Sequence, residues 1–374
     1  MGQLLIDVTE FVGNPIRTGI QRVVRELLTH WPHDVDRQIV RFDERAGGLL
    51  PVHDDLVAML IDSARDARFD IARIREKTQA FQAATKLSPI EIGPEDKILV
   101  PELFASLARS RFYHALSQRG TPIMAIVYDF LAWTRPDALN ISFVGGLNDY
   151  LVFLSVATRR CHIAQSVCDA YVQRFLRRPS ADEIVISLGA DALGVRPDEL
   201  AVKPQLICLG ALDGRKGQDR VYRAYLACPP SKRLPLIFAG RVPDQPRDIM
   251  GPLLNSDCPM VSILNDPDDI ELAHLIASSR GALFPSRFEG FGLPALESLH
   301  LGTPVVIDAA LPAVSGLSAA GQIRLETATD EEMTKALIAM SNPTTARRLR
   351  EEASALTLPT WAGYAAQVAA WVLE

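Results

Sequence analysis

Short apolar runs that alternate with amphipathic stretches constrain this chain more than any other feature. Residues 4–8, 98–101, 123–127 and 184–188 read as buried strands, each bounded by turn or polar residues. A second series follows at 205–210, 236–240, 261–264, 281–285 and 304–308. Helix candidates lie between them, among them 19–30, 148–161 and 269–279. Strands that are apolar throughout need cover on both faces, which implies parallel sheets flanked by helices. A length of 374 residues leaves room for two such α/β domains. The series restarts near Pro204, after a Gly- and Pro-containing stretch at 189–197 that suits a linker. The expected division is therefore 1–195 and 196–358. The final segment, 359–374, carries Trp361, Tyr364 and Trp371 on a short helix expected to pack back on the N-terminal domain. Residues 54–86 read as an insertion or one long surface helix.

Charge and cysteine usage narrow the function. A net charge of −6 argues against a protein that coats nucleic acid. Cys161, Cys168, Cys208, Cys228 and Cys258 form no Cys-x-x-Cys pair and read as small buried hydrophobes of a reducing compartment. The start, Met-Gly-Gln, has no basic n-region, and the apolar run after it is too short for a signal peptide. No apolar run reaches the roughly 18 residues of a membrane span, since the best, 122–133, is broken by Asp129. A cytoplasmic protein is expected. Arg17, Arg22 and Arg25, with Arg159, Arg160, Arg174, Arg177 and Arg178, leave peripheral contact with an anionic membrane as an open alternative to scattered solvated arginines.

The chemistry concentrates in residues 284–298, which read as a strand end, a glycine-rich loop and a helix. Gly290 and Gly292 allow close backbone approach and positive φ. Pro294 suits the first helical turn, so the N–H groups and the positive helix end face whatever fills the loop, a seat for phosphate. Glu289 and Glu297 flank it and offer acceptors for sugar hydroxyls. Separately, each has a bland reading as a solvated or helix-capping residue. A second loop after the strand at 205–210 carries Gly210, then Arg215 and Lys216, two cations able to clamp a diphosphate.

These residues carry a resemblance. Pro285–Glu297 has the pattern Pro-Ser-x-x-Glu-Gly-Phe-Gly-Leu-Pro-x-x-Glu, followed by Gly302-Thr303-Pro304-Val305-Val306. The chain thus resembles glycosyltransferase family four, the retaining enzymes of the GT-B fold, in which two Rossmann-like, doubly wound domains face a central cleft. Arg215-Lys216-Gly217 resembles that family's second donor motif, and Leu188-Gly189-Ala190-Asp191 its domain junction. Asp7-Val8-Thr9 and Arg17-Thr18-Gly19-Ile20-Gln21-Arg22 are similar to the glycine loop and first helix of bacterial polysaccharide mannosyl- and rhamnosyltransferases. Val127-Tyr128-Asp129 with Pro136 resembles the central motif beside the transferred sugar, and Trp361 the residue opening the crossover helix. Three departures stand out: Ala211 replaces a frequent Arg, Tyr128 a frequent His, and Asp308-Ala309-Ala310-Leu311-Pro312 the usual Gly-Gly-x-x-Glu.

The resemblance implies retention of anomeric configuration with neither cofactor nor metal. It implies GDP-mannose as donor, then dTDP-rhamnose or a UDP-sugar, and a bacterial surface glycan or lipid-linked glycan as acceptor. Arg215, Lys216 and the Phe291–Leu293 backbone would stabilise the leaving diphosphate. Glu289 would hold the transferred sugar and Glu297 the ribose. Gly210, Ser286, Gly290, Gly292 and Leu264 complete the donor contacts, Leu264 beside the base. Tyr128 and Asp129 would approach from the N-terminal domain, with Thr18, Gly19 and Arg22 toward the acceptor. Asp266-Pro267-Asp268-Asp269 superficially resembles a metal-binding Asp-x-Asp but reads as a helix cap.

Rival classes leave different marks. A nicotinamide dehydrogenase would place Gly-x-Gly-x-x-Gly directly after a strand, and neither domain's first strand is followed by it. A glycosidase needs paired carboxylates roughly 5–10 Å apart across the scissile bond, and none is evident outside the donor loop. A catalytically silent nucleotide-sugar-binding protein stays open, against the presence of Glu289, Glu297 and Lys216.

Overall fold

Strands form where apolar runs are covered on both faces by helices. The computed structural model describes residues 2–65, 70–84, 87–138, 147–176, 182–194, 200–244 and 248–374. The chain divides into two units: Met1–Gly189 with Thr360–Glu374, and Ala190–Pro359.

Among the described residues the first unit holds seven strands: β1 Leu4–Asp7, β2 Gln38–Asp43, β3 Gly48–Pro51, β4 Lys97–Val100, β5 Ile123–Val127, β6 Arg159–His162 and β7 Glu183–Val185. Their order is β3-β2-β1-β4-β5-β6-β7. All neighbours are parallel except the antiparallel β2–β3 pair at one edge. The order changes direction between β1 and β4, which opens a crevice at their C-terminal ends.

The second unit holds β8 Lys203–Leu209, β9 Leu236–Ala239, β10 Val261–Leu264, β11 Ser279–Phe284, β12 Val305–Asp308 and β13 Gln322–Leu325. Here the order is β10-β9-β8-β11-β12-β13, parallel throughout. Side chains alternate between its faces as strand geometry requires. Leu206, Cys208, Phe238, Leu283 and Val306 enter one apolar layer. Ile207, Leu209, Ala239, Phe284, Val305 and Ile307 enter the other. The reversal lies between β8 and β11, so the loops after these two strands meet at the second crevice.

Each unit is therefore a doubly wound parallel α/β structure. Several boundaries differ from the sequence reading. The helix expected at 148–161 stops as Asn148–Val156, and Arg159–His162 is strand β6. Two adjacent arginines do not read as a buried strand, yet Arg160 is buried because its Nε donates to Glu183 Oε1 on β7 at 2.6 Å. β2, β3 and β13 differ from the expected strands: polar residues interrupt the apolar pattern of β2 and β13, and β3, Gly-Leu-Leu-Pro, is only four residues long. Residues 54–86 contain two helices, Asp54–Arg65 and Ile71–Ala84, rather than one. The expected boundary at 195/196 lies outside the described residues, and the chain divides at Gly189/Ala190.

The helix Trp361–Leu373 belongs to the first unit, where it packs on the helix Gly19–Thr29. Trp361, Tyr364 and Trp371 are buried there. Arg159 Nη1 donates to the Trp371 carbonyl and Lys97 Nζ to that of Val372, both at 2.8 Å, so cations satisfy carbonyls at the helix end. Cys161, Cys168, Cys208 and Cys228 are buried, Cys258 is half-buried, and all are free thiols. Among the described residues no helix is long and apolar enough to cross a membrane.

Candidate functional site

The loop after β8 turns through Gly214–Lys216, a short helical turn capped by Asp213. Its carboxylate accepts from the Arg215 and Lys216 N–H groups at 3.1 and 3.2 Å. Gly217 then carries φ +76°, and a Cβ there would stand 2.3 Å from the Pro285 carbonyl oxygen. Only glycine lets the two loops approach this closely.

The loop after β11 runs from Pro285 to Gly292 and enters the helix Leu293–His300. Gly292 has φ +109° and a Cβ would clash with Leu311, whereas Gly290 is not among the positive-φ glycines, so only one of the two meets that expectation. No side chain caps this helix start.

Across the gap the two loops are joined by charge. Lys216 Nζ donates to Glu289 Oε1 in a close ion pair, and Arg215 Nη1 stands 3.5 Å from Glu289 Oε2. Arg215 Nη1 also donates to the Phe288 carbonyl at 2.7 Å, while the Arg287 N–H donates to the Arg215 carbonyl at 3.0 Å. Burial opposes ionisation of Glu289, but the Lys216 and Arg215 charges outweigh it and hold the carboxyl below its ordinary value. Two cations, an anionic side chain and a helix N-terminus thus converge where the strand order reverses. Such an arrangement can hold a polyanion with hydroxyl groups attached.

Gly210 ends β8 beside the Lys216 stem, and Ser286 and Phe291 lie buried in the same loop pair. Leu293 opens the helix, and Glu297, 1 % exposed, lies within it. Leu264 lies two strands away from β8, at the C-terminal end of β10. At this edge of the sheet its side chain lines a groove with Leu200, His274 and Leu275, and its carbonyl accepts from the Gly240 N–H at 3.1 Å.

In the first unit, Tyr128 is a core residue rather than an open catalytic group. It is 3 % exposed and its hydroxyl donates to the Pro101 carbonyl at 2.7 Å. Asp129 follows it at the end of β5, half-buried, with Oδ1 accepting from the Leu131 N–H at 3.0 Å. Thr18 caps the helix Gly19–Thr29 by accepting from the Gln21 N–H at 3.3 Å. Thr18 and Gly19 are exposed and Arg22 half-buried.

Several of the arginines singled out are engaged within the first unit, while Arg174 is exposed. Arg25 is buried against Glu26 and Arg160 against Glu183, Arg17 donates to the Ala64 carbonyl, and Arg159 reaches Glu374. Arg177 and Arg178 lie outside the described residues. Asp268 caps the helix Asp269–Ser278 by accepting from the Glu271 N–H at 2.8 Å. Among the described residues no group of three or more His, Cys, Asp or Glu is placed to hold a metal ion.

Residues to which the sequence reading gave no site role also border the crevices. Asp308, in the departing motif, accepts from Arg220 Nη2 at 2.6 Å, and the Ala313 N–H donates to the Phe291 carbonyl at 2.9 Å. At the β1–β4 reversal, Asp7 accepts from Arg109 Nε and Nη2 at 2.9 and 2.6 Å. Glu102 accepts from the Glu10 and Phe11 N–H groups at 2.8 and 2.7 Å, tying down the start of the helix Thr9–Gly13. Burial pushes the Glu102 carboxyl up to about 8 against the pull of Arg109.

The family described as Glycosyl transferases group 1 matches residues 197–355. That stretch is similar to the group 1 glycosyl transferases. The match spans both crevice loops of the second unit. The chain is also 31% identical over 196 residues to the MMP alpha-(1->4)-mannosyltransferase of Mycolicibacterium hassiacum, covering 50% of this chain and 47% of the relative. It is 32% identical over 124 residues to O-antigen chain mannosyltransferase B of Escherichia coli, covering 32% of each. The chain thus aligns with less than half the length of these relatives. Anabaena HepE, solved in complex with UDP and glucose, shares the fold across 100% of both chains with a TM-score of 0.66 at 14% identity. That likeness gives the architecture, GT-B.

Proposed function

We propose that this chain is a retaining, metal-independent hexosyltransferase that moves mannose from GDP-mannose to a glycan or lipid-linked glycan of bacterial surface polysaccharide. The observation that carries this reading is the meeting of Lys216 and Arg215 with Glu289 at the β8–β11 reversal, inside the stretch similar to the group 1 glycosyl transferases. In this reading the diphosphate lies against the two cations and the Phe291–Leu293 backbone. There, fixed positive groups stabilise the charge that grows as the sugar leaves. Glu289 takes the sugar hydroxyls and Glu297 the ribose. The leaving diphosphate helps accept the acceptor's proton, so attack occurs on the face from which it departs. The first unit supplies the acceptor contacts through Asp129, Thr18, Gly19 and Arg22.

Mannose is favoured by the two mannosyltransferase relatives. A UDP-sugar is the second reading, because UDP and glucose are named in the HepE complex. Thermal shift against GDP-, UDP- and dTDP-sugars separates them, since a ligand at 100 times its Kd stabilises by about 2.7 kcal/mol. GDP-mannose is expected to give the largest rise. Nucleoside diphosphate should then appear on addition of a glycan acceptor, with or without EDTA. Absence of a shift with every nucleotide sugar would defeat the proposal.

A further inference from the structure

We infer that Gln218, Asp219 and Arg220 are positioning residues: one turn of helix sets the spacing of three loops around the donor crevice. The inference rests on the donor-site reading above. These three residues open the helix Gln218–Ala227 directly after Gly217. Consecutive helical side chains point about 100° apart, so each addresses a different neighbour. All three are buried, at 0, 3 and 1 % exposure.

Each grips a different loop. Gln218 Nε2 donates to the carbonyls of Gly210 and Ala211 at 3.1 and 2.9 Å, holding the loop after β8. Asp219 accepts from Arg287 Nη1 and Nη2 at 3.1 and 2.9 Å, holding the loop after β11. Arg220 Nη2 donates to the Pro285 carbonyl at 3.0 Å and to Asp308 Oδ1 at 2.6 Å, joining the end of β11 to the end of β12. The first loop carries Arg215 and Lys216, and the second carries Glu289.

Fold stability alone does not account for this choice of residues. Buried charges cost several kcal/mol each in desolvation, and apolar residues of similar volume often serve a helix–sheet layer as well or better. Part of that cost is not offset: Arg220 Nε and Nη1 and Gln218 Oε1 are buried without a hydrogen-bond partner among the described residues. Directional bonds give what apolar packing does not, a fixed distance between loops. A misplacement of about 1 Å in a site of this kind costs about 10²-fold in rate.

The test uses the full chain with nucleoside diphosphate binding measured by calorimetry, donor KM and kcat, and Tm. Asp219→Asn and Arg287→Gln should each weaken diphosphate binding by about 10-fold and lower kcat. Because the two side chains act through one another, the double variant should lose no more than either single one. Arg220→Lys should retain more of both than Arg220→Gln. Folded variants with wild-type Kd, KM and kcat would overturn the inference, as would variants that change only Tm. Wild-type protein that binds no nucleoside diphosphate would instead defeat the donor-site reading, and the positioning with it. Should Asp219→Asn not fold, the Arg220→Lys and Arg220→Gln comparison decides alone.

Discussion

Lys216→Ala is expected to lower the transfer rate by at least about 100-fold, the size measured for losing one preorganised charge-stabilising group. Lys216 is mostly shielded from solvent and its ammonium faces Glu289 across the crevice, so screening by water is weak. Part of any loss would come from the carboxylate left behind, because a buried charge stripped of its partner is destabilising in itself. Combining Lys216→Ala with Glu289→Gln removes that contribution. If Lys216 stabilises the leaving group, the double variant stays at least as slow as Lys216→Ala. If Lys216 only neutralises Glu289, the double variant recovers to the rate of Glu289→Gln alone. Single-turnover measurements on both variants, at saturating donor, separate the outcomes.

Glu289→Gln should move binding and turnover in opposite directions. In the ligand-free protein the Glu289 carboxylate occupies the cations that the donor diphosphate would need. Without the negative charge, nucleoside diphosphate should bind about 10-fold more tightly, a gain of about 1.4 kcal/mol. Turnover should nevertheless fall, because the amide is a weaker acceptor for sugar hydroxyls than the carboxylate. The lowered pKa sets the pH window. The paired carboxylate contributes above the ordinary value of 4.5, and its contribution is lost only as pH falls through the lower folded value. Between pH 5 and 8 the wild-type carboxylate should therefore stay ionised, and only stronger acid should imitate the variant. Titration calorimetry that finds weaker diphosphate binding by Glu289→Gln would contradict the competition.

The meeting of the loops after β8 and β11 was legible in the sequence, for a physical reason. The chemistry lies in two contiguous loops, and each follows an apolar run that is easily read as a strand. Once 205–210 and 281–285 are strands, the loops after them meet wherever the sheet order reverses. Residues whose character depends on packing were harder to read. Tyr128 follows the buried strand β5, but nothing local reveals that its hydroxyl finds the Pro101 carbonyl. That Leu264 ends the edge strand of its sheet is likewise a matter of strand order rather than composition. Arg159 and Arg160 disguised β6, because the Glu183 that makes the burial of Arg160 tolerable lies on another strand. Gln218, Asp219 and Arg220 carry the same ambiguity: polar residues at a helix start ordinarily face solvent.

The return of Trp361–Leu373 to the first unit makes the two halves unequal as pieces of polypeptide. Ala190–Pro359 is one uninterrupted stretch and can be excised as such. Its companion is assembled from both extremities of the sequence, so a fragment ending at Gly189 would leave the apolar flank of Gly19–Thr29 without the cover it has here. In synthesis the strands of the first unit emerge well before Trp361–Leu373, whereas Ala190–Pro359 emerges without interruption.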